Sequence, residues 1–350
     1  MDFALSEEQE ELRRSVRAFL EQKSPETEVR RLMETQDGYD PAVWSQMATQ
    51  LGLQGLAAPE DLGGSGYTFR ELAIVLEEMG RALLPAPFLS TAVLATGALL
   101  RAGDDAAMKE LLPRMASGES IATLAVTEDA GGWDEDAIAC VATRDGDGYT
   151  LSGVKSFVLD GAVADVILVA ARTDAGIGLF LVAGDAPGLT RTPLFTMDQT
   201  RKLARIELAQ TPARLVGAEG EGWPAVEHAL RLGAIALAAE QVGGAQRCLE
   251  ISVDYAKNRI QFGRPIGSFQ AVKHKCADML LHVELAKSAA SYAAWCAATD
   301  DADLPVAAAM AKSYCSEAFF DVAAETIQVH GGIGFTWEHP AHLYFKRAKS

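Results

Sequence analysis

Four stretches of the chain carry residue types that could hold a ligand. The longest is Tyr255-Ala-Lys-Asn-Arg259-Ile-Gln261-Phe262-Gly263-Arg264-Pro265-Ile266-Gly267-Ser268-Phe269-Gln270. By itself it reads as a helical hairpin, with Gly263 and Gly267 bracketing a tight connection and Arg259 favourably placed at a helix C-terminus. A guanidinium is also a fixed fork of donors suited to phosphate oxygens. Gln328-Val-His-Gly331-Gly332-Ile-Gly334-Phe335 reads as a helix C-terminus followed by glycines, where a ligand can approach backbone without meeting a Cβ. Thr127-Glu128-Asp129-Ala130-Gly131-Gly132-Trp133-Asp134 is a polar turn after a strand, and Gly153-Val154-Lys155-Ser156-Phe157-Val158-Leu159-Asp160-Gly161 is a hairpin strand. Metal chemistry has no such pattern behind it. The five cysteines are widely spaced with no CxxC pair, and His274 and Cys276 lack further ligands in a zinc-site arrangement. They read as buried free thiols in a reducing compartment.

The elements that must position these residues change character twice along the chain. Residues 1–120 read as helical. Ser6 precedes Gln9 by a capping-box spacing, and Leu12, Val16, Phe19 and Leu20 share a helical face. Helices are expected over Pro41–Leu51 and Thr68–Arg81, with another before Gly103, and the run Leu56–Gly66 is a loop. In residues 121–220 the apolar runs are short and separated by turns such as Asp145-Gly146-Asp147-Gly148. They leave no room for crossover helices, so an antiparallel sheet or barrel fits better than a Rossmann unit. Residues 221–350 return to long Ala-rich helices over Trp223–Ala256, Phe269–Ala298 and Leu304–His330, interrupted mainly by Gly233, Gly243 and Gly244. The expected class is α+β: an N-terminal α-helical domain (1–120), a middle antiparallel β-domain (121–220) and a C-terminal four-helix-bundle-like domain (221–350).

Composition narrows the function. With 350 residues, 49% of them hydrophobic, the chain can bury a large core in two or three domains. A net charge of −17 argues against nucleic acid as a partner, because phosphates need a basic face. The start Met-Asp-Phe-Ala-Leu-Ser-Glu-Glu has neither the basic nor the apolar region of a secretory signal. The apolar stretch Leu83–Leu100 is broken by Pro85 and Pro87, so membrane insertion is not expected. A soluble cytoplasmic protein follows.

In this order and at these spacings the chain resembles the acyl-CoA dehydrogenase family across nearly its whole length. Pro59-Glu60-Asp61-Leu62-Gly63-Gly64-Ser65-Gly66, with Glu77 to Arg81, is similar to a loop and helix of the family's N-terminal domain. Thr127–Asp134 resembles its Thr-Glu-Pro-Gly-Ala-Gly-Ser-Asp loop, and Gly153–Gly161 its Gly-x-Lys-x-Trp-Ile-Thr-Asn strand. The resemblance implies FAD as cofactor. Val126, Thr127 and Gly132 would then meet the flavin, whose polar edge must not be buried without partners. Phe157 would stand at the aromatic position against the ring. Arg259 matches the family's Arg-x-x-Phe-Gly…Phe-Gln element and would reach the FAD pyrophosphate of a neighbouring subunit, with Gln261, Phe262 and Gln270 lining the same cofactor. Gln328, Gly331 and Gly332 match Gln-x-x-Gly-Gly-x-Gly-Phe and would meet the adenosine half and the phosphates.

The implied reaction is α,β-dehydrogenation of an acyl-CoA thioester. A desolvated Glu takes the α-proton while a hydride leaves the β-carbon for the flavin. Electrons would pass to an electron-transfer flavoprotein, and the assembly would be a homo- or hetero-tetramer. The catalytic base is the departure. Family members carry it in a Tyr-Glu-Gly-Thr segment beyond the glycine element, and the sequence closes at Ser350 before such a segment. A second family location aligns with Leu232, Gly233 or Ala234, which cannot remove a proton. Glu240, two turns on, is a candidate whose plain reading is an interhelix or surface carboxylate. Glu227 is off the required face. Trp133 and Leu159 replace a Ser and a Thr of the family pattern. The base is therefore expected on a C-terminal tail or on another subunit of a hetero-oligomer, unless the chain is a flavin-binding relative without this activity, such as a flavin oxidase or monooxygenase. Gly80-Arg-Ala-Leu-Leu-Pro-Ala-Pro-Phe-Leu-Ser-Thr-Ala-Val93 resembles the branch that includes heteromeric enzymes for bulky, steroid-like CoA thioesters.

Overall fold

The computed structural model describes residues 4–350, so Met1, Asp2 and Phe3 of the acidic start lie outside the described residues. Local signals set the first helices. α1 (Glu7–Lys23) begins with a complete capping box, in which Ser6 Oγ accepts from Gln9 N and the Gln9 side chain accepts from Ser6 N. α2 spans Glu26–Met33. α3 (Pro41–Leu51) is capped by the Asp40 carboxylate and stops at Gly52, which takes a left-handed conformation. After the Pro59–Gly66 loop comes α4 (Phe69–Ala82). A π-helix (Leu89–Ala95) then runs directly into α5 (Thr96–Ala102), and α6 follows at Asp105–Ala116. The strands are β1 (Ala122–Ala125), β2 (Val141–Asp145), β3 (Gly148–Leu159), β4 (Val166–Thr173), β5 (Gly176–Ala183), β6 (Leu189–Leu194) and β7 (Leu203–Val216). Helices resume with α7 (Trp223–Asn258), then a two-stranded hairpin of β8 (Ile260–Gln261) and β9 (Arg264–Pro265), then α8 (Gln270–Thr299), α9 (Leu304–His330) and α10 (Ala341–Lys349).

The chain forms two compact units: Met1–Arg31, Phe69–Leu84 and Ala234–Ser350 in the first, Leu32–Thr68 and Pro85–Gly233 in the second. In the second, the pairings β4–β2–β3–β7–β5–β4 return to their start and close five strands into a small barrel; β1 adds beside β4 and β6 beside β7. Most pairings are antiparallel, as the short connections require. β1 and β4 pair in parallel, and β2 meets β4 in parallel at one point. This is where the sheet differs from the all-antiparallel expectation. The β2–β3 hairpin serves as the connection from β1 to β4, so a parallel pair forms without a crossover helix. The second half of the apolar stretch Leu83–Leu100 belongs to the core. Leu94, Ala95, Ala98 and Leu99 pack with Leu124, Val166 and Leu168 of the sheet and with Val226 and Ala229 of the first turns of α7. No described helix is long and apolar enough to cross a membrane.

The first unit is a helical bundle in which α1 lies along α4, α8 contacts both α4 and α9, and α10 lies on α9. The glycines of α7 do not interrupt it. They are contact points. A Cβ built on Gly80 of α4 would lie 2.0 Å from Glu240 O, and one on Gly243 of α7 would lie 1.8 Å from Glu77 O. The two helices cross backbone to backbone, and only glycine fits on either side. Gly244 faces the Phe319 ring of α9 at 2.5 Å in the same sense. Gly80→Ala and Gly243→Ala are each expected to destabilise the protein by at least the ~1–3 kcal/mol of core overpacking, read as a lower denaturant midpoint at unchanged slope. Unaltered midpoints in both would show that the crossing has slack.

Candidate functional site

The residues singled out from the sequence fall into two groups, one in each unit. In the barrel unit, the end of β1 and the end of β3 are fastened side by side. Val126 is buried and its carbonyl accepts from Lys155 Nζ at 2.9 Å. Thr127 O accepts from Ser156 N at 2.8 Å. Glu128 accepts from Lys155 Nζ at 2.6 Å and from the N–H groups of Ala139 and Cys140 at 3.0 and 2.9 Å. Ser156 Oγ donates to Asp129, whose other oxygen pairs with Arg205 at 3.0 Å. Hydrogen bonds from the Arg205 guanidinium and the Ser156 hydroxyl hold the Asp129 carboxyl below the usual carboxylate range, Arg205 contributing most.

Phe157 follows directly on this fastened pair. The register of β3 on β7 advances three residues, from Lys155 to Val158, against two on β7, so β3 carries a β-bulge there. Phe157 sits in the bulge with φ +57° and 60% of its surface exposed. A bulky residue in left-handed backbone is strained, and such strain persists where the surroundings impose it, often at functional sites. Gly132 also takes a positive φ, and its position excludes a side chain, because a Cβ would lie 2.6 Å from Ala137 Cβ. Of the two departures from the family pattern, Trp133 is exposed, whereas Leu159 packs against the core.

In the helical unit, the ends of α7 and α9 lie together. Ser252 Oγ donates to Thr326 Oγ1 at 3.1 Å, and the Tyr255 ring stacks on His330 at 4.4 Å. Tyr255 is one turn before Arg259, and His330 immediately precedes Gly331. These contacts bring the two glycine-bearing motifs to the same end of the bundle. Burial lowers the His330 pKa, against hydrogen bonding to the Thr326 and Ile251 backbone. Beyond Arg259 the chain makes a two-residue hairpin turn, with Phe262 at φ +53° and Gly263 at φ +75°, the pattern of a type I′ turn. Phe262 is thus a second exposed aromatic on left-handed backbone. It meets the Phe269 ring edge-on at 6.0 Å, and the Arg264 guanidinium covers the other ring at 4.0 Å. Arg259, Gln261, Gln270 and Gln328 are exposed. Gly331 has φ +62°, and a Cβ on Gly331 or Gly332 would meet nothing within 4 Å. Unlike the glycines of α7, these two are not required by packing within the chain.

Of the two candidate positions for a base, one is Gly233 and the other is Glu240, which is ion-paired. A Cβ on Gly233 would lie 2.7 Å from Leu94 Cδ2 of the π-helix, so a longer side chain there would have to displace that methyl group. Glu240 is nearly buried and pairs with Arg347 of α10 at 3.7 Å. The tertiary structure places it in an interhelix ion pair, in line with its plain reading. The partner lies more than a hundred residues away and leaves no local trace in the sequence. Glu227 is paired with Arg231 on its own helix. Lys155 stands at the Lys of the Gly-x-Lys strand pattern, but its burial against Glu128 was not legible in the sequence.

The α–β–α chain thus carries an exposed aromatic in a bulge of the barrel unit and open glycines at a bundle end of the helical unit. It matches the family models described as acyl-CoA dehydrogenase N-terminal domain over residues 6–119, middle domain over 123–210 and C-terminal domain over 220–350. The chain belongs to the acyl-CoA dehydrogenase family. It is 37% identical over 345 residues to the acyl-CoA dehydrogenase IpdE2 of Mycobacterium tuberculosis, covering 98% of this chain and 91% of that one. Among solved structures it is similar to the ChsE4–ChsE5 complex from Mycobacterium tuberculosis (TM-score 0.90, 33% identity, 100% and 93% of the two chains). It is also similar to a variant of the Tcur3481–Tcur3483 steroid ACAD (TM-score 0.88, 35% identity, 98% and 92%).

Glu240→Gln is expected to lower stability, since it weakens the partner of a nearly buried Arg347, and to leave turnover per bound flavin unchanged. A fall of about 10²–10⁴ in kcat at full flavin content, the size of a lost general base, would restore Glu240 to the chemistry.

Proposed function

We propose that this chain is an FAD-dependent acyl-CoA dehydrogenase subunit that works in a hetero-oligomer on a bulky, steroid-type CoA thioester. The single observation that carries the reading is the convergence of Arg259, Gln328 and the unpacked Gly331–Gly332 pair at one bundle end. The residues present fit FAD. The glycines leave room for phosphate against backbone, and Arg259 offers a forked cation. In the other unit Thr127 offers donors beside the projecting Phe157 ring, suited to a flavin's polar edge and face. When bound, FAD supplies the electron acceptor for the β-carbon.

In this reading Val126, Thr127, Gly132 and Phe157 hold the flavin end. Arg259, Gln261, Phe262, Gln270, Gln328, Gly331 and Gly332 hold the diphosphate and adenosine of an FAD seated on a neighbouring subunit. The segments 1–120, 121–220 and 221–350 act as the three functional modules, in the cytoplasm. An electron-transfer flavoprotein takes the electrons. The ion-paired Glu240 and the Leu94 methyl group against Gly233 support placing the proton-abstracting carboxylate on a partner subunit. The names of relatives that act as complexes or on steroids support both the heteromer and the substrate class.

Arg259→Ala is expected to weaken FAD retention about tenfold to a hundredfold, the range for a lost charge-assisted hydrogen bond. Gly332→Ala should do likewise at an unchanged melting temperature, because its Cβ meets no protein atom. Flavin content equal to wild type in both variants would remove these residues from the site. Enoyl-CoA formation should require co-expression with the partner chain, with fewer flavins than chains in the native mass spectrum. Ordinary turnover by this chain alone would end the dependent-subunit reading, and oxygen uptake without enoyl-CoA would point to an oxidase.

A further inference from the structure

Lys155 is among the largest fully buried side chains of the described residues. An ammonium in that position needs a compensating charge and hydrogen bonds, and uncompensated burial costs several kcal/mol. It has both. Glu128 lies at 2.6 Å and the Val126 carbonyl at 2.9 Å. The Glu128 carboxylate is itself held by two backbone N–H groups, those of Ala139 and Cys140. Burial pulls the Lys155 pKa below its ordinary value, with Cys140 and Glu128 opposing. Burial also pushes the Cys140 thiol up to about 11, so that it stays protonated and uncharged at neutral pH.

Lys155 is out of contact with solvent and Glu128 nearly so, yet the pair fastens the two backbone segments that carry Thr127 and Phe157. Each rung joins the β1 end to the β3 end: Val126 O to Lys155, Thr127 O to Ser156 N, Glu128 to Lys155 and Asp129 to Ser156. The register slip that projects Phe157 begins at Lys155. One bond has an electronic consequence. The Val126 carbonyl that accepts from the ammonium belongs to the same peptide unit as the Thr127 N–H. A cation on the oxygen end of a peptide polarises it and makes the N–H end a stronger donor, more so in a low-dielectric interior.

We propose that the Lys155–Glu128 pair is a positioning device for the flavin end of the site: it sets the spacing of Thr127 and Phe157, and its ammonium polarises the Val126–Thr127 peptide toward an electron-accepting ring. The inference rests on the FAD reading above. Charge near the ring makes the device act with sign. The cation favours the more electron-rich form of the cofactor, and the carboxylate opposes it.

The test is the two-electron reduction potential of FAD bound to the full complex, measured spectroelectrochemically alongside flavin content and melting temperature. Lys155→Met removes the cation and should lower the potential. Glu128→Gln removes the anion and should raise it. Each change is expected to alter the preference for reduced over oxidised flavin about tenfold, ~30 mV for a two-electron couple, and the double variant should fall between them. A merely structural pair would weaken folding and flavin retention in both variants without opposite shifts. Shifts of the same sign, or none in variants that keep FAD, therefore overturn the proposal. If one single variant does not fold, the other decides by its sign. A wild-type complex that holds no flavin would instead overturn the cofactor reading itself.

Discussion

A lysine with no exposed surface constrains everything around it. The free energy of removing an ammonium from water is recovered only if a carboxylate and a carbonyl meet it at hydrogen-bond distance. Here those partners are Glu128 and Val126, so the turn after β1 cannot drift from β3 without leaving a charge unpaired in the barrel wall. The same constraint reaches the surface. The bulge after Lys155 turns Phe157 outward, and Ser156 and Asp129 extend the fastening to Arg205 of β7. A surface that presents an aromatic face and a threonine at fixed spacing thus depends on a largely buried ion pair.

The helical unit uses a different means to the same end. α4 and α7 cross at Gly80 and Gly243 closely enough that each helix sits against a carbonyl of the other. Arg17 forms a bidentate pair with the buried Glu78 of α4, which ties α1 to the same crossing. At the far end of α7, stacking of Tyr255 on His330 aligns the hairpin turn with the C-terminus of α9. Glycine therefore has two roles in one bundle. In α7 it permits helix contact, and at positions 331 and 332 it leaves backbone open.

Two positions on the bundle's long helix α7 are already in use by the interior. Leu94 of the π-helix occupies the space in front of Gly233, and Arg347 engages Glu240. Both positions are committed to packing or pairing. A family fold can retain its cofactor-facing surfaces while proton abstraction moves to a different chain, because the two tasks depend on separate residues.

Much of the candidate site was legible because its signals are local. The capping box at Ser6, the break at Gly52, the Phe262–Gly263 turn and the glycines after His330 each depend on neighbours within a few residues, and the three-part helix–strand–helix order follows from hydrophobic period. Pairings between distant segments were not legible: Lys155 with Glu128, Glu240 with Arg347, Gly80 against α7, and the parallel β1–β4 pair. A lysine in a strand, a glutamate in a helix and a glycine in a helix each have an ordinary surface or breaker reading in sequence. Only the residues that tertiary packing brings against them decide whether a charge is neutralised, a carboxylate is unavailable for chemistry or a missing Cβ lets two backbones touch.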